Sequence, residues 1–178
     1  LMDGSLRLSA TLFDAELENE IDGFVSDPNS PGFTSANQEG TSQRRGVELN
    51  AISNLSDSLS LNAAYTYTDS VESDGAGGYV DEVRRPRHTA SLNLSWQVID
   101  SLHINTNAQY NGSQMDVVWP DNVLLADYTL VNLNANYRAT DKLDLFLRLD
   151  NLLNENYEEV FSYQTLGFGA SFGLRYSL

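Results

Sequence analysis

Residues 167–178 read Gly167-Phe168-Gly169-Ala170-Ser171-Phe172-Gly173-Leu174-Arg175-Tyr176-Ser177-Leu178, and this stretch decides the fold. Phe168, Ala170, Phe172, Leu174, Tyr176 and Leu178 alternate with Gly169, Ser171, Gly173, Arg175 and Ser177. Successive side chains of a strand point to opposite faces, so the stretch predicts a β-strand with one apolar and one polar face. The alternation reaches the last residue, so the chain is expected to end inside a sheet.

Seven further segments alternate in the same way. They lie near Ser5–Phe24, Ser42–Ser53, Ser58–Thr68, His88–Val98, Leu102–Asn111, Asp127–Arg138 and Leu143–Asp150. The first is long, loses regularity after Asp14, and is expected to carry a bulge at Gly23. Leu143, Leu145, Leu147 and Leu149 form the cleanest apolar stripe. The opposite faces are polar: His103, Asn105, Asn107, Gln109 and Asn111 in one segment, Asn132, Asn134, Asn136 and Arg138 in another. Asparagine-rich faces fill a small barrel core poorly, which favours apolar faces turned outward towards lipid. The expectation is an all-β, antiparallel, up-and-down transmembrane barrel wall of about eight strands.

Composition agrees with a barrel whose interior is polar. Only 41% of residues are hydrophobic, and the formal charge is -15. That charge excludes a nucleic-acid binder, which needs a basic footprint. The chain has no cysteine, so it has neither disulfides nor thiolate metal sites. No apolar run is long enough for a transmembrane helix. The opening residues, LMDGSLRLSA, have no basic start and no apolar core segment of a secretory signal. The sequence is therefore expected to be a mature chain or a piece of a longer one.

The connections alternate in length. Asn54–Asp57, Ile99–Ser101 and Ala139–Lys142 are short, whereas Asp27–Gly40, Asp69–Arg85, Gly112–Ala126 and Asn151–Leu166 are long. Short turns at one end and long loops at the other are the layout of a membrane barrel. Pro28, Pro31, Pro120, Gly75, Gly77 and Gly78 suit irregular loop backbone. Trp96, Tyr137 and Tyr176 fall towards the short-turn end, and Tyr65, Tyr67 and Tyr110 towards the long-loop end. Two aromatic belts on the apolar face are what membrane interfaces select.

Catalytic constellations are not evident. His88 and His103 are the only histidines and neither has a partner at metal-ligand spacing. Gly75-Ala76-Gly77-Gly78 lacks the lysine and hydroxyl of a phosphate loop and reads as a loop tip. Asp69, Glu72, Asp74, Asp81 and Glu82 crowd one long loop without a calcium-loop spacing. Arg84, Arg85 and Arg87 follow; they can pair with these acids or bind the phosphates of lipopolysaccharide. Met115, Val117, Val118, Trp119 and Pro120 form an apolar patch in the next loop. Met115 and Trp119 there, with Tyr163 and Gln164 in the last loop, are the candidate ligand contacts, because exposed aromatic groups on a rigid scaffold often meet ligands. No cofactor or metal is expected.

Four segments resemble the C-terminal half of a TonB-dependent outer-membrane receptor. Asn37 followed by Arg45-Gly46-Val47-Glu48-Leu49 is similar to one strand of that family, and Tyr65-Thr66-Tyr67-Thr68-Asp69 to another. Arg85-Pro86-Arg87-His88 resembles the opening of the next downward strand, and Asp150-Asn151-Leu152-Leu153-Asn154-Glu155-Asn156-Tyr157 the element before the last strand. Residues 157–167, YEEVFSYQTLG, are similar to the ending of the vitamin B12 receptor subgroup.

The resemblance implies energised uptake of a scarce large nutrient, cobalamin or a ferric siderophore, across the outer membrane of a Gram-negative bacterium. It implies that residues 1–178 are the C-terminal part of a 22-stranded barrel, with a plug domain and TonB box lying outside this sequence. The implied partners are outer-membrane lipid and lipopolysaccharide, the plug and the remaining barrel, and the TonB complex through the plug. Asn132, Asn134, Arg148 and Arg175 become plug-contact candidates by resemblance and by the face they occupy. Leu178 stands where the family usually has an aromatic residue. Two other classes share the alternation: a complete eight-stranded outer-membrane barrel with a structural or adhesive role, and a soluble lipocalin-like carrier with its apolar stripes turned inward.

Overall fold

A computed structural model describes residues 6–26, 32–37, 40–74, 76–118 and 121–178. Among the described residues thirteen strands follow one another: β1 Leu6–Glu18, β2 Ile21–Ser26, β3 Phe33–Asn37, β4 Thr41–Ser56, β5 Leu59–Ser73, β6 Tyr79–Asp81, β7 His88–Ile99, β8 Leu102–Asn111, β9 Gln114–Val118, β10 Asp121–Leu125, β11 Tyr128–Thr140, β12 Leu143–Asp150 and β13 Gly169–Tyr176. Eight long strands form an antiparallel meander in the order β1-β4-β5-β7-β8-β11-β12-β13, with β6 added beside the end of β5. Two small hairpins, β2–β3 and β9–β10, stand in long connections.

The eight long strands are those expected from the alternation, and β8 and β12 match it residue for residue. Two expectations need correction. The first segment is not one strand to Phe24: it breaks at Asn19, whose φ of 55° ends the extended backbone, and Ile21 starts a separate hairpin strand. The irregularity expected at Gly23 is present, as a register shift between Asp22 and Val25. The last strand is shorter than the sequence suggested, stopping at Tyr176. β1 pairs only with β4 and β13 only with β12, so the described strands make an open sheet. They do not shut into a complete eight-stranded barrel or a lipocalin-like cup.

The two faces differ as the sequence required. On one face Leu12 is 84% exposed, Phe172 69% and Leu174 61%. A continuous uncovered apolar face of this kind needs lipid against it. Its limits are set by register. Tyr65 pairs with Ala90 and Ala90 with Tyr110, placing both tyrosines on one row. Leu59 pairs with Trp96 at the other end. The eight steps from Leu59 to Tyr67 run roughly 27 Å along the strand at about 3.4 Å per residue, close to the height of an outer-membrane apolar band. Beyond the tyrosines the same face turns charged: Arg45 and Asp69, cross-strand partners, approach to 3.6 Å. His88 lies in the belt, its Nδ1 2.8 Å from the Tyr65 hydroxyl.

The other face is a ladder of amides. Asn62 pairs with Asn93, Asn93 with Asn107 and Asn107 with Asn132, across the three strand boundaries from β5 to β11. The Asn107 amide donates to Asn93 Oδ1 at 2.8 Å. Phe13 and Phe146 break the polar pattern, and both face glycine across the ladder, Gly46 and Gly173. A Cβ on Gly173 would strike the Phe146 ring; one on Gly46 would strike the Phe13 ring and also the backbone carbonyl of Tyr67. Rings lying over cross-strand glycines satisfy both residues. Gly46→Ala is therefore expected to prise β4 from β5 and cost about 1–3 kcal/mol, the usual range for overpacking. Urea unfolding checks it, and an unchanged midpoint would contradict the close approach.

Candidate loop-end site

The long connections are organised by buried carboxylates. Asp116, in β9, is 1% exposed, and no other described side chain is so completely enclosed at its size. Its Oδ1 accepts Arg84 Nε at 2.9 Å and the Val117 amide at 2.8 Å. Its Oδ2 accepts the Phe161 amide at 2.7 Å. The Arg84 amide in turn donates to the Met115 carbonyl at 2.8 Å. One carboxylate thus joins the loop after β6, the β9–β10 hairpin and the loop between β12 and β13. Gln114 adds a bond to the Glu159 carbonyl at 3.3 Å. The Tyr128 and Tyr157 rings meet at a tilt of 34° with their centres 4.4 Å apart.

A second knot forms around Glu82. Arg44 reaches it in a fork, Nε to Oε2 at 3.0 Å and a terminal nitrogen to Oε1 at 2.6 Å. Arg44 also binds Glu20, and the Ser70 hydroxyl donates to Glu82. Arg85 lies 3.7 Å from the same carboxylate. Arg87 pairs with Asp81 at 2.9 Å. Pairing within the loop, one of the two roles read for these arginines, holds for Arg85 and Arg87; Arg84 instead reaches out to Asp116.

Burial alone would push both carboxyls up. For Asp116 the two amide donors and Arg84 outweigh it, and the carboxyl sits below the usual range. For Glu82 the bonds from Arg44 and Ser70 do the same. A carboxylate with a lowered folded value stabilises above its unfolded value, about 4, and that contribution is lost as pH falls through the folded value. The loop junction is expected to hold from neutral pH to about pH 4 and to loosen below it. Amide exchange of Phe161 and Val117 against pH checks this; protection that stays flat down to pH 2 would contradict it.

Asn151 plays a third organising part. With φ 50° it turns the chain out of β12. Its amide donates to Asn132 Oδ1 at 2.9 Å, its side chain donates to the Glu155 and Leu166 carbonyls, and its Oδ1 accepts the Glu155 amide. Asn tolerates left-handed backbone better than other side chains and supplies these bonds locally.

The residues singled out in the sequence fall into two groups. Met115 is half-buried and lines a small cavity of about 220 Å³ with Ser70, Glu82, Arg85 and Leu124. Gln164 lines a larger one of about 520 Å³ between the end of β10 and the last loop, and Tyr163 beside it is 72% exposed. Leu124 borders both cavities. Trp119 lies outside the described residues, as do Ser5, Pro28, Pro31, Gly75 and Pro120. On the amide face, Asn134 and Arg148 are direct cross-strand partners, and Arg148 Nε binds Asp150 at 2.9 Å. Asn132 spends its side-chain oxygen on Asn151, and Arg175 pairs in register with Asp144. Asp116, Glu82 and Asn151 were not singled out as site residues. The available signal for Asp116 was a lone carboxylate between Met115 and Val117, since a charge in apolar company needs a partner.

Known proteins share this architecture. A family model described as TonB dependent receptor-like, beta-barrel, matches residues 1–152. The ferripyoverdine receptor of Pseudomonas aeruginosa is 26% identical over 186 residues, covering 97% of this chain and 22% of that protein. The siderophore receptor PiuA from Acinetobacter baumannii superposes with a TM-score of 0.73 at 23% identity, over 99% of this chain and 26% of its own. The outer-membrane ferripyoverdine receptor of P. aeruginosa, solved with ferripyoverdine bound, gives 0.74 at 21% identity, over 98% and 25%. The sequence spans about a quarter of the length of these relatives. With the matched model covering most of its length, the chain belongs to the TonB-dependent receptor β-barrel family.

Proposed function

We propose that residues 1–178 supply the C-terminal barrel wall of a receptor that imports a ferric siderophore across the Gram-negative outer membrane under TonB control. The observation that carries the reading is the division of one sheet into a lipid face and an amide face, with three long loops tied together by Asp116 at one end. The apolar face contacts lipid and its charged margin meets lipopolysaccharide. Asn134, Arg148 and Arg175, with Asn132 held by Asn151, face a plug inside the barrel. Met115, Trp119, Tyr163 and Gln164 belong to the ligand-gathering loops. Relatives named as siderophore receptors favour a ferric siderophore over cobalamin, to which the ending at residues 157–167 points by resemblance.

The work of such a wall is binding and gated passage, with no covalent step. Uptake of radioactive iron by cells producing the full-length receptor tests the reading. The expected result is ferric-siderophore uptake that stops when TonB is removed. Uptake of cyanocobalamin with no uptake of iron would overturn it.

A further inference from the structure

Two knots of polar side chains gather the long connections, and they have no side chain in common. In one, Arg44 binds Glu20, on the connection from β1 to β4, and Glu82, on the connection from β5 to β7. In the other, Asp116, within the connection from β8 to β11, holds the Arg84 guanidinium and the Phe161 amide of the connection from β12 to β13. Glu82 and Arg84 stand two residues apart, so both knots grip one short stretch of backbone.

That stretch, residues 82–87, is built as a strut. It is pinned to β5 at both ends: the Glu82 amide donates to the Ser70 carbonyl at 3.1 Å, and the Thr68 amide to the Arg87 carbonyl at 2.9 Å. Pro86 fixes its own φ and disfavours helical backbone at Arg85. Arg84 has a φ of 57°, a left-handed conformation that a residue with a Cβ keeps only where its surroundings enforce it. Two contacts enforce it here, and both come from β9. The Arg84 amide donates to the Met115 carbonyl at 2.8 Å, and its Nε to Asp116 at 2.9 Å. Ser70, Glu82, Arg85 and Met115 border the cavity of about 220 Å³ between the knots, so the strut carries what packing there does not.

We propose that the strut couples the two knots, so that the four long connections order and loosen as one unit. By linkage, a molecule that steadies one connection steadies the other three. The coupling is measured without cargo, so its failure leaves the siderophore reading standing. Hydrogen exchange on the full-length receptor in outer-membrane vesicles tests it. Arg44 lies outside the Asp116 knot, yet in Arg44→Gln the Phe161 amide is expected to exchange about 5- to 50-fold faster, within the usual range of coupling between sites. In Asp116→Asn the Glu82 amide should speed up by a similar factor, because coupling is reciprocal. Arg44→Lys keeps the charge without the fork and should fall between wild type and Arg44→Gln. The Leu147 amide, in β12 between β11 and β13, should stay unchanged in all three variants. Acceleration confined to the knot that carries the substitution overturns the proposal. Equal acceleration at Leu147 overturns it too, since the whole wall would then have loosened.

Discussion

Asp116→Ala is expected to release all three loops at once. The substitution leaves the Phe161 and Val117 amides and the Arg84 guanidinium without their acceptor. Breaking one side of a buried ion pair costs about 3–5 kcal/mol. Arg84 is half-exposed and regains water, so the local loss is smaller, about 2–3 kcal/mol. Exchange of the Phe161 and Val117 amides should accelerate roughly 30- to 150-fold. On the proposed siderophore reading, cargo affinity should fall with it, because the loops would have to be ordered on binding. Asp116→Asn keeps one acceptor and is expected to lie between wild type and alanine. The measurement is hydrogen exchange on the intact receptor; unchanged protection at both amides would show that the loops hold without the carboxylate.

The second large effect concerns the lipid face. Leu92 pairs with Ala63, four residues from Tyr67 and four from Leu59, so it lies midway down the apolar stripe. Leu92→Arg places a guanidinium at that depth and is expected to cost about 2–4 kcal/mol. Asn93→Arg, one residue along, turns to the amide face and loses only the bond from Asn107, about 1 kcal/mol. The contrast is the test, since both variants add the same charge to the same strand. Urea unfolding of the receptor in bilayers reads it. Equal losses would mean that the two faces have been assigned wrongly.

Much of this was legible because period-two alternation is a local signal that register then repeats. Leu143 to Leu149 needed no tertiary information to become β12, nor did the alternating asparagines of β8 and β11 to become the inner face. The hairpins were harder. Met115-Asp116-Val117-Val118 is too short to alternate convincingly, and the Trp119-Pro120 pair that follows reads as a turn, so β9 and β10 were expected as irregular loop. The partnership of Arg84 with Asp116 spans 32 residues and was invisible for a different reason. Three arginines stood beside acids of their own loop, and nothing local marks which one reaches outward. The turn at Asn19 was likewise hidden, because only the backbone reveals that an asparagine has taken a positive φ.

The two phenylalanines on the amide face bear on clearance. Phe13 and Phe146 lie over Gly46 and Gly173, along the sheet, instead of standing out from it. Large side chains laid flat in this way leave the inner surface low in relief at both places. At those two places a neighbouring domain would meet ring faces level with short amides, whereas Arg148 and Arg175 elsewhere on the same face stand out from it. If the plug proposed above moves along this wall, the two ring-covered patches would act as bearing surfaces, and the resistance would be concentrated at the arginines beside the second of them.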